Sequence, residues 1–206
     1  MSIYPFTFIL SMMVFFSCKE EKVVRVYDEK GNLQAQWQID KDSLKVGYLI
    51  RLYENGDTLE ISNYKNDKLE GVRKLYYPDN KIEIEENYTD GQLHGNYKVF
   101  YPNGILKIES QYIFNRLEGI LKKYGVTGSI EEEVSFINNE ENGPFTEFYS
   151  TGMKKWEGFY IDGPNEVGIL IHYAPNGDTI KKMKCDERSI CITLWKNEKY
   201  REDESF

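Results

Sequence analysis

The stretch Gly95-Asn96-Tyr97-Lys98-Val99-Phe100-Tyr101-Pro102-Asn103-Gly104-Ile105-Leu106-Lys107-Ile108-Glu109-Ser110-Gln111-Tyr112 decides the fold. Two runs rich in β-branched and aromatic residues flank a Pro-Asn-Gly turn, which is the pattern of a β-hairpin. The stretch recurs. Its first glycine belongs to the comb Gly47, Gly71, Gly95, Gly119, Gly143 and Gly168, spaced by 24, 24, 24, 24 and 25 residues. A second comb, Gly56, Asn80, Gly104, Gly128, Gly152 and Gly177, follows nine residues behind the first. Self-similarity at a fixed period of this size marks a repeat architecture.

With each unit numbered from its comb glycine, the units align. Position 6 holds Leu52, Tyr76, Phe100, Tyr124, Phe148 and Tyr173. Position 7 holds Tyr53, Tyr77, Tyr101, Gly125, Tyr149 and Ala174, and position 18 holds Tyr64, Tyr88, Tyr112, Phe136, Tyr160 and Cys185. If paired positions sum to 19, opposed residues match in chemistry, as cross-strand pairs should. Lys74 then faces Glu85, Lys98 faces Glu109 and Lys122 faces Glu133, while Arg51 faces Glu60, Arg73 faces Glu86 and Leu121 faces Val134. This register predicts a four-residue hairpin loop with a positive φ at position 10. It also places the first comb, and His94, in the reverse turns between units. The glutamates at position 15 (Glu85, Glu109, Glu133, Glu157) read as a solvated ladder paired with lysines.

The expected fold is all-β: an elongated, single-layer, twisted antiparallel sheet of consecutive hairpins. Val24 to Val46 reads as a degenerate extra unit, with Tyr27, Gly31 and Leu33 in order. The array is taken as 23–190, and 191–206 as a cap strand and tail, because arrays need atypical end units. Side chains alternate along a strand, so positions 6 and 7 point to opposite faces. A single layer leaves one face open, which makes Tyr53, Tyr77, Tyr101 and Tyr149 the candidate contact row. Tyr48, Ile50 and Leu52 sit on even positions while Leu75 and Tyr77 sit on odd ones, so burial is expected to change face along the array.

A glycine, a Phe-Tyr or Tyr-Tyr pair, Asn-Gly, then Glu and an aromatic, as in Gly95…Phe100-Tyr101-Pro102-Asn103-Gly104…Glu109…Tyr112, resembles the MORN-repeat variant. More narrowly, the chain resembles bacterial MORN-variant proteins of the antitoxin-like class. The resemblance implies a hairpin array used for protein or lipid contact, and its narrower form implies neutralisation of a partner toxin by direct binding.

The N-terminus reads as a processing segment. Residues 3–16 form an apolar run, IYPFTFILSMMVFF, too short for a span of about 20 residues and of signal-peptide length. Ser17-Cys18 after this run resembles a lipoprotein lipobox, in which the cysteine becomes the lipidated first residue. Residues 1–17 are then a signal peptide and 18–22 the lipidated Cys18 and its tether. The expected place is the cell envelope, on the outer membrane, with surface display suggested by Lys19-Glu20-Glu21, which resembles an export signal of surface lipoproteins. An ordinary signal peptide is the plainer reading of the same run.

With 34 acidic and 26 basic residues and a formal net charge of −8, the chain lacks the basic balance of a nucleic-acid binder. Its two histidines, His94 and His172, stand in no Cys or acid constellation of metal-ligand spacing. Its glycines come singly, so no phosphate loop is formed. No catalytic residue, cofactor or metal is expected. Cys185 and Cys191 suit either a bridge closing the cap, in an oxidising compartment, or two reduced thiols packed as small apolar groups. The sequence therefore points to a non-catalytic scaffold whose partner is a protein, a glycan or the membrane surface. An antitoxin-like binder and an inert structural protein are the alternatives.

Overall fold

The computed structural model describes residues 22–200, so the signal segment, Cys18 and the tether before Lys22 lie outside the described residues. The strands are β1 (Lys22–Tyr27), β2 (Leu33–Ile39), β3 (Lys45–Leu52), β4 (Thr58–Lys65), β5 (Lys68–Leu69), β6 (Gly71–Tyr76), β7 (Ile82–Thr89) and β8 (Gln92–Phe100). They continue as β9 (Leu106–Ile113), β10 (Arg116–Tyr124), β11 (Ile130–Ile137), β12 (Glu140–Phe148), β13 (Lys154–Ile161), β14 (Asn165–Tyr173), β15 (Thr179–Cys185) and β16 (Cys191–Lys196). All belong to one open, twisted antiparallel sheet in which chain order is spatial order, with β5 and β6 successive segments beside β4.

The sequence-derived register holds within every hairpin. Ile50 faces Ile61, Lys74 faces Glu85, Lys98 faces Glu109 and Lys122 faces Glu133. Val24 to Val46 supplies the extra unit, since β1 and β2 form a hairpin of the same kind. The loop, however, has three residues rather than four. Pairing runs Arg51↔Glu60 and then Leu52↔Thr58, so Leu59 is an extra residue on the return strand. Beyond it Tyr53 N–H donates to the Asp57 carbonyl (2.8 Å) and Gly56 N–H to the Tyr53 carbonyl (2.9 Å). This is a tight turn closed by a left-handed residue. The second comb supplies that residue, with φ of 88° at Gly56, 60° at Asn80 and 84° at Gly104.

The first comb is not in the turns between units. Those turns are two-residue loops such as Asn66-Asp67, Asp90-Gly91 and Asn138-Asn139, with φ positive at both residues, the hairpin turn that suits the right-handed twist of strands. The comb glycines lie a few residues later, inside the strands, at bulges. Glu86 pairs Tyr97 and Tyr88 pairs Leu93, so His94, Gly95 and Asn96 oppose Asn87 alone. His94 is thus in β8, with its ring 4.5 Å from that of Phe114. The bulge needs φ > 0 (111° at Gly95, 121° at Gly143), and at Gly143 a Cβ would lie 2.8 Å from Ser135 Cβ.

A bulge bends its strand and increases the twist. Recurring between units, it lets side chains of a single layer cover one another on one face. Burial does stay on one face, contrary to the expected switch. Leu49, Glu60, Ser62, Glu86, Ser110, Val134, Phe145, Leu170 and Cys185 all occupy positions 3, 14, 16 or 18, which share a face (the inner face). The even positions Tyr48, Ile50 and Leu52, Tyr48 above all at 66% exposure, belong to the outer face.

Candidate functional site

The inner face is filled in two ways. In the amino-terminal half, Arg73 of β6 lies between two glutamates of the flanking strands. Its Nε donates to Glu60 Oε1 at 2.9 Å and its Nη1 to Glu86 Oε2 at 3.0 Å. Arg51 Nη1 reaches the other Glu60 oxygen at 3.3 Å, and the Tyr88 hydroxyl donates to Glu86 at 3.2 Å. Burial raises the Glu60 pKa, but the hydrogen bond and charge of Arg73, with Arg51 adding, outweigh it and hold the carboxyl below the usual glutamate range. Burial likewise opposes the Arg73 charge, and the two glutamates more than restore it. In the carboxy-terminal half the same positions hold Val134, Phe145, Leu170 and Cys185, packed with Phe136, Trp156, Tyr160 and Met183. Gly158 makes room there, since a Cβ would meet the Phe145 ring and Leu170 at 2.7 Å.

The row Tyr53, Tyr77, Tyr101 and Tyr149 ties one unit to the next. Each hydroxyl donates to the position-6 carbonyl of the following unit: Tyr76 (2.6 Å), Phe100 (2.8 Å), Tyr124 (2.9 Å) and Tyr173 (2.7 Å). The rings stay half-buried, and the lysine at position 13 lies over two of them, Lys107 on Tyr101 and Lys155 on Tyr149. Position-6 tyrosines reach backwards onto the outer face instead. Tyr124 donates to Glu109 at 2.7 Å, and Tyr173 to Glu157. Burial and the partner glutamate push both phenols up to about 12. The glutamate ladder is otherwise matched by lysines, Lys74 to Glu85 at 3.2 Å and Lys122 to Glu133 at 3.3 Å.

In the later units the exposed apolar surface is mostly aliphatic. It lies on the outer face, along the margin next to the turns between units. Position 19 contributes Ile113 (43% exposed), Ile137 (50%) and Ile161 (38%), and position 2 contributes Ile120 (54%) and Ile169 (47%). Phe159 (45%), opposite Pro144 and Val167, and Ile192 (62%), opposite Lys184, extend it to the last strand. In the first units the equivalent outer-face sites are mixed: Asn63, Lys65, Asn87, Thr89, Asn96 and Gln111 are polar, while Tyr48 and Val72 are exposed and apolar. This margin is legible as a 24-residue period of isoleucines once the face is known.

Two of the hairpin units match the MORN repeat variant. The matched residues are 69–90 and 93–113. Comparison with curated proteins finds no match. The second matched segment contains the whole of the stretch that fixes the register, and the same hairpin geometry runs on through the units on either side. The recurring residues of these units have distinct physical duties here. The paired aromatics form the tie and the backward hydroxyl bond, the glycine after Asn closes the loop, and the glutamate takes a cross-strand lysine or a phenol.

At the cap, Cys185 and Cys191 are opposite partners on β15 and β16, joined as a disulfide. Glu166 of β14 lies beside them, with Oε2 3.7 Å from Cys191 Sγ. Sequence spacing could not show this group, because strand pairing alone brings Glu166 to the cysteines. His172 faces Lys181 and stacks on Trp156 at 4.0 Å; burial, then Lys181 and Lys155, lower its pKa. Its stacked, cation-flanked ring has the character of a packed core group.

Proposed function

We propose that this chain is a passive repeat scaffold held in the cell envelope by a lipid on Cys18, and that it binds a protein partner through the outer-face aliphatic margin. The observation that carries the reading is the margin itself: Ile113, Ile120, Ile137, Phe159, Ile161 and Ile169 stay exposed on the face that the sheet does not use for its own core. Contiguous exposed apolar surface on a folded protein marks an interaction site. The matched repeat type, generally non-catalytic, supports a scaffold over an enzyme. The tyrosine ties support it too, because they hold successive units in one register and so keep the margin continuous. Anchoring rests on the apolar run 3–16 and the Ser17-Cys18 junction.

Two experiments test the two halves of the proposal. Palmitate labelling of producing cells should mark the wild-type chain and leave Cys18→Ala unlabelled; an unlabelled wild-type chain in the cytosol would instead favour the antitoxin-like reading. A photo-crosslinking residue placed at Ile137, Phe159 or Ile169 should trap a partner, whereas one at Lys123 on the inner face should not. Equal trapping from both faces, or none from the margin, would remove the margin as the contact surface.

A further inference from the structure

We propose that the cap carries a redox-gated metal site: when the Cys185–Cys191 bridge is reduced, the two thiolates and Glu166 bind a borderline-soft divalent cation such as Zn²⁺. The ligand atoms of the three residues, Cys185 Sγ, Cys191 Sγ and a Glu166 carboxylate oxygen, already lie within 4.8 Å of one another. Two thiolates and a carboxylate suit zinc, which binds sulfur at about 2.3 Å and carboxylate oxygen at about 2.0 Å in tetrahedral geometry. Those bond lengths place neighbouring sulfur and oxygen ligands about 3.5 Å apart, and two sulfurs about 3.8 Å apart. Glu166 Oε2 stands 3.7 Å from Cys191 Sγ, so the carboxylate is already near its ligating distance from one sulfur, and reduction lets the two sulfurs part.

The surroundings fit. Cys185 is 3% exposed and sits in the apolar cluster of the carboxy-terminal half, which limits water at the site. Glu166 pairs with Tyr160 on the neighbouring strand, so its backbone is fixed by the sheet. Ser189, in the turn between the cysteines, has its carbonyl 3.7 Å from Cys191 Sγ, and its hydroxyl is buried with no hydrogen-bond partner among the described residues. A polar atom left unpaired in this way marks a missing partner.

The chemistry balances in two steps. A dithiol supplies two electrons and two protons and becomes a disulfide, or a phosphine supplies the two electrons and becomes its oxide while water supplies the oxygen and both protons; the S–S bond breaks and two thiols form. The cation then displaces both thiol protons, which leave to solvent as two metal–sulfur bonds form. Bridge and metal are mutually exclusive states of the same sulfurs, so metal binding reports the redox state of the cap.

The test is a Co²⁺ titration of the full-length chain, oxidised and phosphine-reduced, followed by displacement with Zn²⁺. The reduced chain should bind one Co²⁺ with a near-ultraviolet thiolate-to-cobalt band that Zn²⁺ abolishes, and the oxidised chain should show none. Cys191→Ser should remove the band. Because that variant also removes the bridge, Glu166→Gln is the second variant, leaving both sulfurs in place. It should weaken Co²⁺ binding by about tenfold or more, at least the cost of losing an outer-shell partner, while Glu187→Gln in the same turn leaves it unchanged. Absence of the band in the reduced chain, a bridge that resists the phosphine, or wild-type affinity in Glu166→Gln would each overturn the site.

Discussion

The two halves of the sheet share one backbone plan and fill it with opposite chemistry. At position 3 the units carry Leu49, Arg73 and Tyr97 in the first half and Leu121, Phe145 and Leu170 in the second. At position 16 they carry Ser62, Glu86 and Ser110, then Val134, Gly158 and Met183. One half is held by a chain of charges, Arg51–Glu60–Arg73–Glu86, buried from Glu60 onward and open to solvent at Arg51, and the other by an apolar cluster around Phe145. The lesson is that the repeat is specified by its turns, bulges and ties. The inner-face residues need only be mutually compatible, ion with ion or ring with aliphatic. The outer face shows a weaker form of this division, mixed in the first units, where Tyr48 and Val72 stand among polar residues, and mostly aliphatic in the later ones.

The comparison breaks most readily at Arg73. Arg73→Ala leaves Glu60 and Glu86 buried without their shared cation, and should cost about 3–5 kcal/mol in urea unfolding. Replacing the whole set with apolar residues (Arg73→Met, Glu60→Leu, Glu86→Leu) should be neutral or stabilising by about 1–4 kcal/mol. In the other half Phe145→Ala should cost a similar ~3–5 kcal/mol through a cavity. The two losses should differ in their response to acid. The Glu60 pKa is lower in the folded protein than in the unfolded chain. Its contribution is therefore complete above the ordinary glutamate range and is lost as pH falls through the lower, folded-state value. Phe145→Ala should keep that acid dependence, and the triple variant should lose it.

Smaller effects sharpen the shared plan. Gly143→Ala must accept both a positive φ, at about 1–2 kcal/mol, and a Cβ 2.8 Å from Ser135 Cβ, a crowding worth about 1–3 kcal/mol. Gly168→Ala meets open space and should cost only the φ term, so thermal unfolding should rank Gly143→Ala as the more damaging. Tyr77→Phe and Tyr149→Phe each remove one tie and should lose about 0.5–1.5 kcal/mol in either half alike. Lys122→Ala breaks an exposed outer-face pair and should change stability by about 0–1 kcal/mol.

Much of the hairpin was legible because its evidence is local. Lys74 and Glu85, or Leu121 and Val134, are opposed within one unit, and Asn80 stands in for glycine where φ must be positive. The joints between units were not legible. The bulge at Gly95 skips residues in the neighbouring register, and no side chain but the glycine records it, so a bulge glycine reads like a turn glycine. The extra residue at Leu59 hid for the same reason, as it shortens the loop without altering the charge pairs. At the candidate site the position-7 tyrosines stood out by size, although their hydroxyls serve the next unit. Ile113, Ile137 and Ile161 were equally periodic, but isoleucine on a strand reads as core until the buried face is known. Glu166 carried no local sign at all, since it meets Cys191 only through two strand pairings.

Hydrogen exchange resolved along the chain, expressed as protection factors between pH 7 and pH 3, tests the division of the sheet most directly. Neighbour-only contacts let parts of an array open separately. Amides in β4, β6 and β7 should lose protection as Glu60 protonates, while those in β11 to β14 hold theirs. Parallel loss in both halves, or retention around Glu60, would contradict it.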